Sequence, residues 1–442
     1  MVMNMYKSKI SYGIGSMNKY IVMVLATIIA VQSTHAQSLK MIRSAKILDV
    51  ENSRLITGQA ILIKDDRIIE IGTEQDIRKN YTSSITVEVI DMTGLTIMPG
   101  LIDAHSHILL HPYNETSWND QVIKESRAER TARAVIHLKN TLNAGFTSLR
   151  DLGSEGAGYA DVGLKVALEK QIIEGPTIIV AGRAIVATGS YGPKGFDLSH
   201  EITLGAEPAD GGTLIKVVRD HIGKGADIVK IYADYRWGPN GEAMPTFSLD
   251  EIKMIVETAA SSGRSVVAHS ATVEGMRRSI LAGVQSIEHG DEGTAEIFDL
   301  MKQHGVIYCP TITVTEALAE YGGWKKGIEQ DTKSIARKRA AMTSAIKSGV
   351  TICNGSDVGP YTHGDNLREL KLMNEYGLSI EKTLQAATMV GGELMGKKEE
   401  LGQIKKGYIA DLIAVEGNPL QDLNVLNNIK VIIQRGNIYK PQ

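Results

Sequence analysis

Short apolar runs alternate with amphipathic segments through the middle of the chain. Eight runs have the length and β-branched character of buried strands: residues 97–103, 147–152, 177–181, 227–233, 265–269, 285–289, 306–311 and 351–357. Helical periodicity fills most of the intervals between them, as in residues 127–144, 250–262 and 332–348. Strands that alternate with helices are typical of a parallel sheet. The pattern therefore predicts a (β/α)8 TIM barrel, which usually takes about 250 residues and grows with insertions.

The two ends of the chain have a different pattern, made of short strands and turns. Strand candidates lie at residues 41–48, 58–63 and 68–72, and again at 410–415 and 431–436. We expect both ends to join in one small β-sandwich. The predicted organisation is a leader at 1–36, the N-terminal part of the sandwich at 37–95, the barrel at 96–398 and the C-terminal part of the sandwich at 399–442.

The first 36 residues have the features of an export signal. Lys19 precedes an apolar run at 20–31, and small residues at Thr34 and Ala36 suit a cleavage site. The run is shorter than the roughly 20 residues that a membrane span needs. The sequence predicts cleavage after Ala36 from a start at Met1 or Met17, and a periplasmic protein without stable membrane association. A retained anchor is the alternative.

Composition is that of a globular protein, with 442 residues, 43% hydrophobic and 22% charged. The formal net charge is −3 and no basic run is present, so nucleic-acid binding is not expected. The two cysteines, Cys309 and Cys353, lie on predicted strands and are interpreted as small buried thiols rather than a disulfide. Nothing in the sequence fixes the oligomeric state, and a homo-oligomer is left open.

Residues with metal-binding chemistry end several of the predicted strands. His105 and His107 close the segment 99–107, and side chains at i and i+2 of a strand share a face. Because the carboxyl ends of barrel strands meet at one rim, we expect the residues at those ends to lie together. The sequence predicts a metal centre made of His105, His107, Lys230, His269, His289 and Asp357.

Four of these residues also have a simpler interpretation. Lys230, inside a β-branched strand, is either paired with a carboxylate at the rim or desolvated and reactive enough to be carboxylated. His269 and His289, taken singly, suit hydrogen-bonded core positions. Asp357 follows a serine after a strand, where a helix N-cap is common. Their joint placement at strand ends favours the metal centre.

The combined motifs resemble the amidohydrolase superfamily, and within it the bacterial branch of prolidase-like dipeptidases, Xaa-Arg dipeptidases and imidazolonepropionase-like proteins. The resemblance covers nearly the whole chain after the leader. It is carried by 99–107, the Lys230 strand, His269, His289, Asp357 and the C-terminal segment 407–412. Deaminases and imidazolonepropionase have an acidic residue three places after the fifth-strand histidine. In this chain the fifth-strand histidine is His269 and the residue three places after it is Thr272, which argues against both activities.

The resemblance implies two metal ions with separate ligands. His105, His107 and Asp357 would bind the more buried ion, and His269 and His289 the more exposed one. A carbamate formed from CO2 on Lys230 would bridge the ions together with a hydroxide. Zinc is the expected metal, since imidazole and carboxylate suit it.

The implied function is that of an exported binuclear metal-dependent hydrolase that cleaves a C–N amide bond. Asp357 would take a proton from the attacking hydroxide and pass it to the leaving amine. The expected substrates are small molecules, either dipeptides with an Xaa-Pro preference or N-acyl amino acids. The alternatives are a cyclic amide or lactone hydrolase and, in another class, a metal-free barrel that binds or scaffolds.

Three residues are candidates for contact with substrate. Tyr232 shares a strand face with Lys230, Tyr191 lies in the glycine-rich loop 188–192, and His363 follows Asp357 on the next loop. Barrel loops at this rim reach the substrate, although each residue also suits an ordinary loop position. Arg150 and Asp151, after the second strand, are interpreted as a structural ion pair.

Overall fold

A computed structural model describes residues 39–80, 87–197, 199 and 204–439. The leader predicted for residues 1–36 lies outside these ranges. Within them, no helix combines the length and the apolar character needed to cross a bilayer.

Strands from both chain ends form one eight-stranded sheet. Its strands are β1 (Leu39–Asp49), β2 (Arg54–Thr57), β3 (Ala60–Lys64), β4 (Arg67–Gly72), β5 (Val87–Pro99), and, from the C-terminal end, β17 (Leu412–Val415), β18 (Ile429–Gln434) and β19 (Asn437–Tyr439). They follow the order β19-β18-β17-β5-β1-β3-β4, with β2 paired to β1. Both ends contribute, as the sequence predicted, and hydrogen bonds join all eight strands in one sheet.

The intervening strands form a second, TIM-barrel-like domain. They are β6 (Leu101–Ser106), β7 (Phe146–Asp151), β8 (Thr177–Val180), β9 (Ile185–Val186), β10 (Glu207–Pro208), β11 (Val229–Tyr232), the hairpin β12 (Asp234–Arg236) and β13 (Ala243–Pro245), β14 (Val266–Ser270), β15 (Ser286–His289) and β16 (Ile307–Cys309). Parallel pairing gives the orders β6-β7-β8 and β10-β9-β11-β14-β15-β16.

Helices occupy most of the intervals between these strands. They include Arg127–Asn143, Ala160–Glu169, Thr213–Gly223, Leu249–Ala260, Val273–Ala282, Ala295–His304, Ile312–Tyr321, Lys333–Ser348 and Leu367–Glu375. The helix Leu249–Ala260 begins at a capping box, in which Ser248 and Glu251 satisfy each other's backbone N–H groups. Its buried face, with Ile252, Ile255 and Ala259, packs into the main hydrophobic core against the parallel strands.

The eighth predicted strand, residues 351–357, is reduced to an isolated bridge at Ile352, and a second bridge follows at Val358, just past its predicted end. A Cβ on Gly355 would lie 2.5 Å from Cys309 Sγ and 3.0 Å from His105 Cβ, so only glycine allows this close approach. The segment still joins its neighbours, because Cys353 N donates to Tyr308 O at 2.9 Å and Asp357 N donates to His105 O at 2.8 Å. Asp357 is thereby fixed beside β6.

The cysteine prediction is wrong. Cys309 on β16 and Cys353 on the adjacent segment form a disulfide, with their Cα atoms 5.2 Å apart. Both residues are fully buried beside Ala104 and Ile307. Neighbouring strands bring Cβ atoms within bonding reach whenever two cysteines face each other, and the sequence alone does not show which residues are opposite.

Asp411, which precedes β17, should make stability depend on pH. Its Oδ1 accepts the Arg435 N–H at 2.7 Å, and burial raises the pKa of the carboxyl to about 7. The unfolded value is about 3.9, so Asp411 stabilises the fold fully below about pH 4 and loses this contribution as the pH rises through 7. Asp411→Asn should therefore be more stable relative to the wild type at pH 8 than at pH 5, by roughly 1.4 kcal/mol for each pH unit between 5 and the folded pKa.

Urea denaturation at the two pH values measures this effect. Asp250→Asn, at an exposed position in the first turn of a helix, is the matched control and should leave the pH dependence unchanged. An equal pH dependence in Asp411→Asn and the wild type would contradict the assignment.

Candidate metal centre

Three predicted ligands converge where β6 ends. His105 and His107 point to the same side of the strand, and Asp357 approaches from the segment that packs beside it. His105 Nε2 lies 3.5 Å from Asp357 Oδ1, and His107 Nε2 lies 3.3 Å from the same oxygen. All three residues are buried, and their ligand atoms lie within 4.8 Å of one another. This is a candidate metal site.

The second nitrogen of each imidazole is already engaged. His105 Nδ1 is 2.8 Å from Glu288 Oε2, and His107 Nδ1 is 2.9 Å from the carbonyl oxygen of Gly153. Each Nδ1–H therefore donates, so Nε2 is the nitrogen of each ring that could face a cation, as in metal sites where an outer partner fixes the histidine tautomer. Within the described residues, the buried His105 Nε2 has no hydrogen-bond partner. The residues thus fit a divalent metal.

The remaining predicted ligands lie around this group. The His289 ring is centred 5.2 Å from that of His105 and 4.3 Å from that of His269. His289 Nδ1 lies 3.9 Å from Asp357 Oδ2. Lys230 lies on β11, the strand next to β14, and Tyr232 of β11 pairs in register with His269 of β14. The structure therefore brings all six predicted residues to one end of the parallel strands.

Lys230 is buried without an ion pair to any carboxylate in the described part of the chain, so the simpler interpretation of a rim ion pair is not what the structure shows. Burial lowers the pKa of its ammonium to about 8, despite the opposing fields of Glu288 and Asp357. A lysine of lowered pKa is neutral in a larger fraction of molecules, which is the form that reacts with CO2.

Burial and neighbouring charges shift the pKa values of the histidines and of Asp357 in different directions. Burial lowers the pKa of His105 to about 4. For His107 the hydrogen bond and field of Asp357 outweigh burial and raise the pKa to about 9. Burial by itself raises the pKa of Asp357, but the field of His105 and the hydrogen bond from His107 hold it below its usual value. Asp357 is therefore an anion facing imidazole nitrogens, which suits a cation between them.

Several residues at this rim adopt left-handed backbone conformations. His289, Thr311 and Asp357 have φ of 75°, 50° and 56°. Such conformations are uncommon in residues other than glycine and cluster at functional sites. The turn after His289 is held by Lys338, whose Nζ donates to the carbonyl oxygens of His289 at 2.8 Å and Pro310 at 2.6 Å. Asp357 is not the helix N-cap that the simpler interpretation proposed, because the next helix begins at Leu367 after Asn366.

The three candidate substrate residues have different positions. Tyr232 stacks on His269 with ring centres 4.6 Å apart, and Tyr191 packs on Tyr232 at 4.6 Å. His363 is buried away from them, where its ring stacks on His137 at 4.0 Å and its Nε2 approaches the Leu110 carbonyl oxygen at 3.1 Å. The geometry favours packing for His363, and its predicted contact with substrate stays a prediction.

Sequence reasoning missed Glu288 and gave Arg150 the wrong partner. Arg150 Nη2 pairs with Glu288 Oε1 at 2.8 Å, and both side chains have no exposed surface. Asp151 instead accepts the Ile108 N–H at 2.8 Å, since adjacent strand residues point to opposite faces. Glu288 thus links Arg150 to His105. The available signal was one charge of each sign inside two predicted strands, Arg150 in the second and Glu288 in the sixth.

Glu288→Gln should weaken metal binding by about 10- to 100-fold, because the amide holds the His105 ring and its tautomer less firmly than a carboxylate. It should also lower Tm, since the buried Arg150 loses its counter-charge. Chelator competition measures the first effect and thermal unfolding the second. Glu292→Gln is the control, since its ion pair with Arg337 is surface-exposed. Unchanged metal affinity in Glu288→Gln would contradict this role.

Histidines and an aspartate that form a candidate metal site at one end of the parallel strands are typical of hydrolases with a TIM-barrel-like domain, and this is the class of protein that the fold and the site indicate. Residues 96–440 match the Amidohydrolase family, and the chain belongs to this family. It is a hydrolase that acts on carbon–nitrogen bonds.

Several named proteins are similar to this chain in sequence or structure. The chain is 31% identical to ochratoxinase from Aspergillus niger over 422 residues, which cover 88% of this chain and 85% of that one. A crystal structure of a Xaa-Pro dipeptidase with bound methionine in the active site is similar, with a TM-score of 0.79, 30% identity and coverage of 91% and 100%. So is a prolidase complexed with N-methylphosphonate-L-proline, with a TM-score of 0.79, 29% identity and coverage of 92% and 100%.

Proposed function

We propose that the protein is an exported, binuclear metal-dependent amidohydrolase that cleaves dipeptides, with an Xaa-Pro preference, or N-acyl amino acids. The observation that carries the proposal is the convergence of four histidines, Lys230 and Asp357 at one end of the parallel strands. Similarity to a Xaa-Pro dipeptidase and to a prolidase with a bound proline phosphonate supports the substrate class.

His105, His107 and Asp357 would hold one metal, and His269 and His289 a second, with a carbamate on Lys230 shared between them. Zinc is the proposed ion because imidazole and carboxylate ligands suit it. When bound, such a pair of metals activates water and polarises a carbonyl group. The lowered pKa of Lys230 and its lack of an ion pair in the described residues support carbamate formation.

The side chains of the chain itself would handle the protons and orient the substrate. Asp357 has two oxygens, of which Oδ1 faces the histidines of β6 and Oδ2 faces His289. It is placed to accept a proton from the attacking water and to return it to the leaving nitrogen as a general base and then a general acid. Tyr232, stacked on His269, is placed to contact the substrate.

We also propose the closure of the barrel, the domain boundaries and the export of the protein. Asp227 N donates to Val180 O at 2.8 Å, and Ala104 N donates to Asn354 O at 2.9 Å, so hydrogen bonds run on from each group of parallel strands to the next. We infer a closed eight-stranded barrel at 96–398 between sandwich parts at 37–95 and 399–442. Export with cleavage after Ala36 into the periplasm is part of the proposal.

Substrate depletion tests the function. The chain from Gln37, loaded with zinc and bicarbonate, is incubated with a mixed library of dipeptides and N-acyl amino acids and followed by mass spectrometry. We expect depletion of members that share a C-terminal residue, with the Xaa-Pro members first. No depletion by a protein that has two metals bound would contradict the proposed substrates, and lactams and lactones would then be the next classes to assay.

A further inference from the structure

The loop after β7 places a buried carboxylate at the edge of the metal centre. Glu155 is 3% exposed and has a φ of 47°, a conformation that residues other than glycine rarely adopt. Arg130, itself buried, fixes the loop by donating to the main-chain oxygens of Glu155 at 2.8 Å and Ser154 at 3.3 Å. Because a buried arginine holds this strained backbone conformation, we infer that the fold fixes the direction in which the Glu155 side chain points.

Neutral groups donate the hydrogen bonds that the Glu155 carboxylate accepts. Trp118 Nε1 donates to Oε2 at 2.8 Å, Tyr191 OH donates to Oε2 at 2.6 Å, and Tyr232 OH donates to Oε1 at 3.2 Å. Within the described residues it forms no ion pair, and Arg130 reaches only its main-chain oxygen. A carboxylate can accept about four hydrogen bonds, so Oε1 has capacity for another donor. A buried carboxylate that forms no ion pair favours a cationic partner.

Two measurements place Oε1 next to the predicted ligands. A Cβ built on Gly153 would lie 3.4 Å from Glu155 Oε1 and 3.6 Å from His107 Cε1, so both atoms border the same small space. On the other side, Tyr232 connects Glu155 to His269 by stacking. Tyr191 and Tyr235 pack at 4.8 Å beside them, and aromatic faces also attract cations.

We propose that Glu155 receives the free α-ammonium group of the substrate, which makes dipeptides, rather than N-acyl amino acids, the substrate class. This inference rests on the proposed function. In a dipeptide the ammonium is attached to the carbon next to the scissile carbonyl, so it lies close to the metal centre when that carbonyl reacts. An N-acyl amino acid has no cation there and would leave the Glu155 charge unpaired, which costs binding in the transition state.

Matched substrate pairs test the inference. Alanyl and propionyl derivatives of one C-terminal residue differ only by the ammonium group, and proline, leucine and arginine are used in turn at that C-terminal position. The metal-loaded wild type should favour the alanyl member in kcat/KM by at least about tenfold, the range of one charge-assisted hydrogen bond. Glu155→Gln should reduce this ratio towards one. Tyr191→Phe, which removes one donor and keeps the charge, should preserve the ratio.

The pH profile gives a second readout, since kcat/KM for the alanyl member should fall above the amine pKa of about 8 and that for the propionyl member should not. A wild-type ratio near one would overturn the inference and leave the proposed function standing for N-acyl amino acids. An equal loss of kcat/KM for both members in Glu155→Gln would contradict binding of the ammonium group and show that Glu155 only positions the aromatic residues. Hydrolysis of neither member by the metal-loaded wild type would contradict the proposed function itself.

Discussion

Asp357→Asn is expected to reduce kcat by about 10²- to 10⁴-fold, the range of general acid–base catalysis, without unfolding the protein. Asparagine adopts left-handed conformations more readily than most residues, so the φ of 56° at this position is tolerated. The backbone bond from Asp357 N to His105 O is also kept. What changes is the carboxylate, which can no longer take a proton and binds a cation less well.

Steady-state kinetics, with metal content and Tm measured on the same samples, checks this expectation. Asp365→Asn is the matched control, because it lies on the same loop and is exposed. The control should retain wild-type kcat. Near-wild-type turnover in Asp357→Asn would remove this residue from the proposed chemistry, whereas a loss of Tm without loss of kcat would assign it to the fold.

Lys230→Ala is expected to lower the bound metal from two ions to one or fewer and to remove nearly all turnover. The reason is that alanine cannot form the carbamate shared by the two proposed metals. The cavity should also admit a small carboxylate, so formate or acetate should restore part of the activity. Lys224→Ala, which removes an exposed lysine paired with Asp220, is the control and should bind metal normally.

The modification can also be observed directly. ¹³C-labelled bicarbonate should give a carbamate carbon resonance in the wild type that Lys230→Ala lacks. Two tightly bound metals and full turnover in Lys230→Ala would be incompatible with a bridging role for this lysine.

Much of the candidate site followed from local sequence rules. His105 and His107 share a strand face because side chains alternate along β6, and His269 and His289 come at the ends of β14 and β15. These placements depend only on the two-residue period of a strand and on the common rim of parallel strands. The family membership that the motifs indicated is confirmed by the match over residues 96–440.

Other features depend on contacts between distant segments, which no local pattern encodes. Glu288 meets His105 only because β15 and β6 face each other across the domain. Cys309 and Cys353 are opposite each other only because Gly355 lets its segment pack closely on β16. His363 lies on the loop after Asp357, as the sequence shows, but its ring stacks on His137. Side-chain direction in loops is set by such packing, so loop residues were the weakest predictions.

Metal content and activity, measured on the same samples, test whether the protein is a metal-dependent hydrolase. The chain from Gln37, purified with zinc and bicarbonate, is analysed by elemental mass spectrometry before and after dialysis against a chelator, and each sample is assayed on the library substrate that is depleted fastest. We expect two metal ions per chain, loss of turnover when they are removed, and recovery when zinc and bicarbonate return. Full turnover by metal-free protein would contradict the metal-dependent mechanism. Metal-free protein without activity that zinc cannot restore would instead support a barrel that only binds or scaffolds.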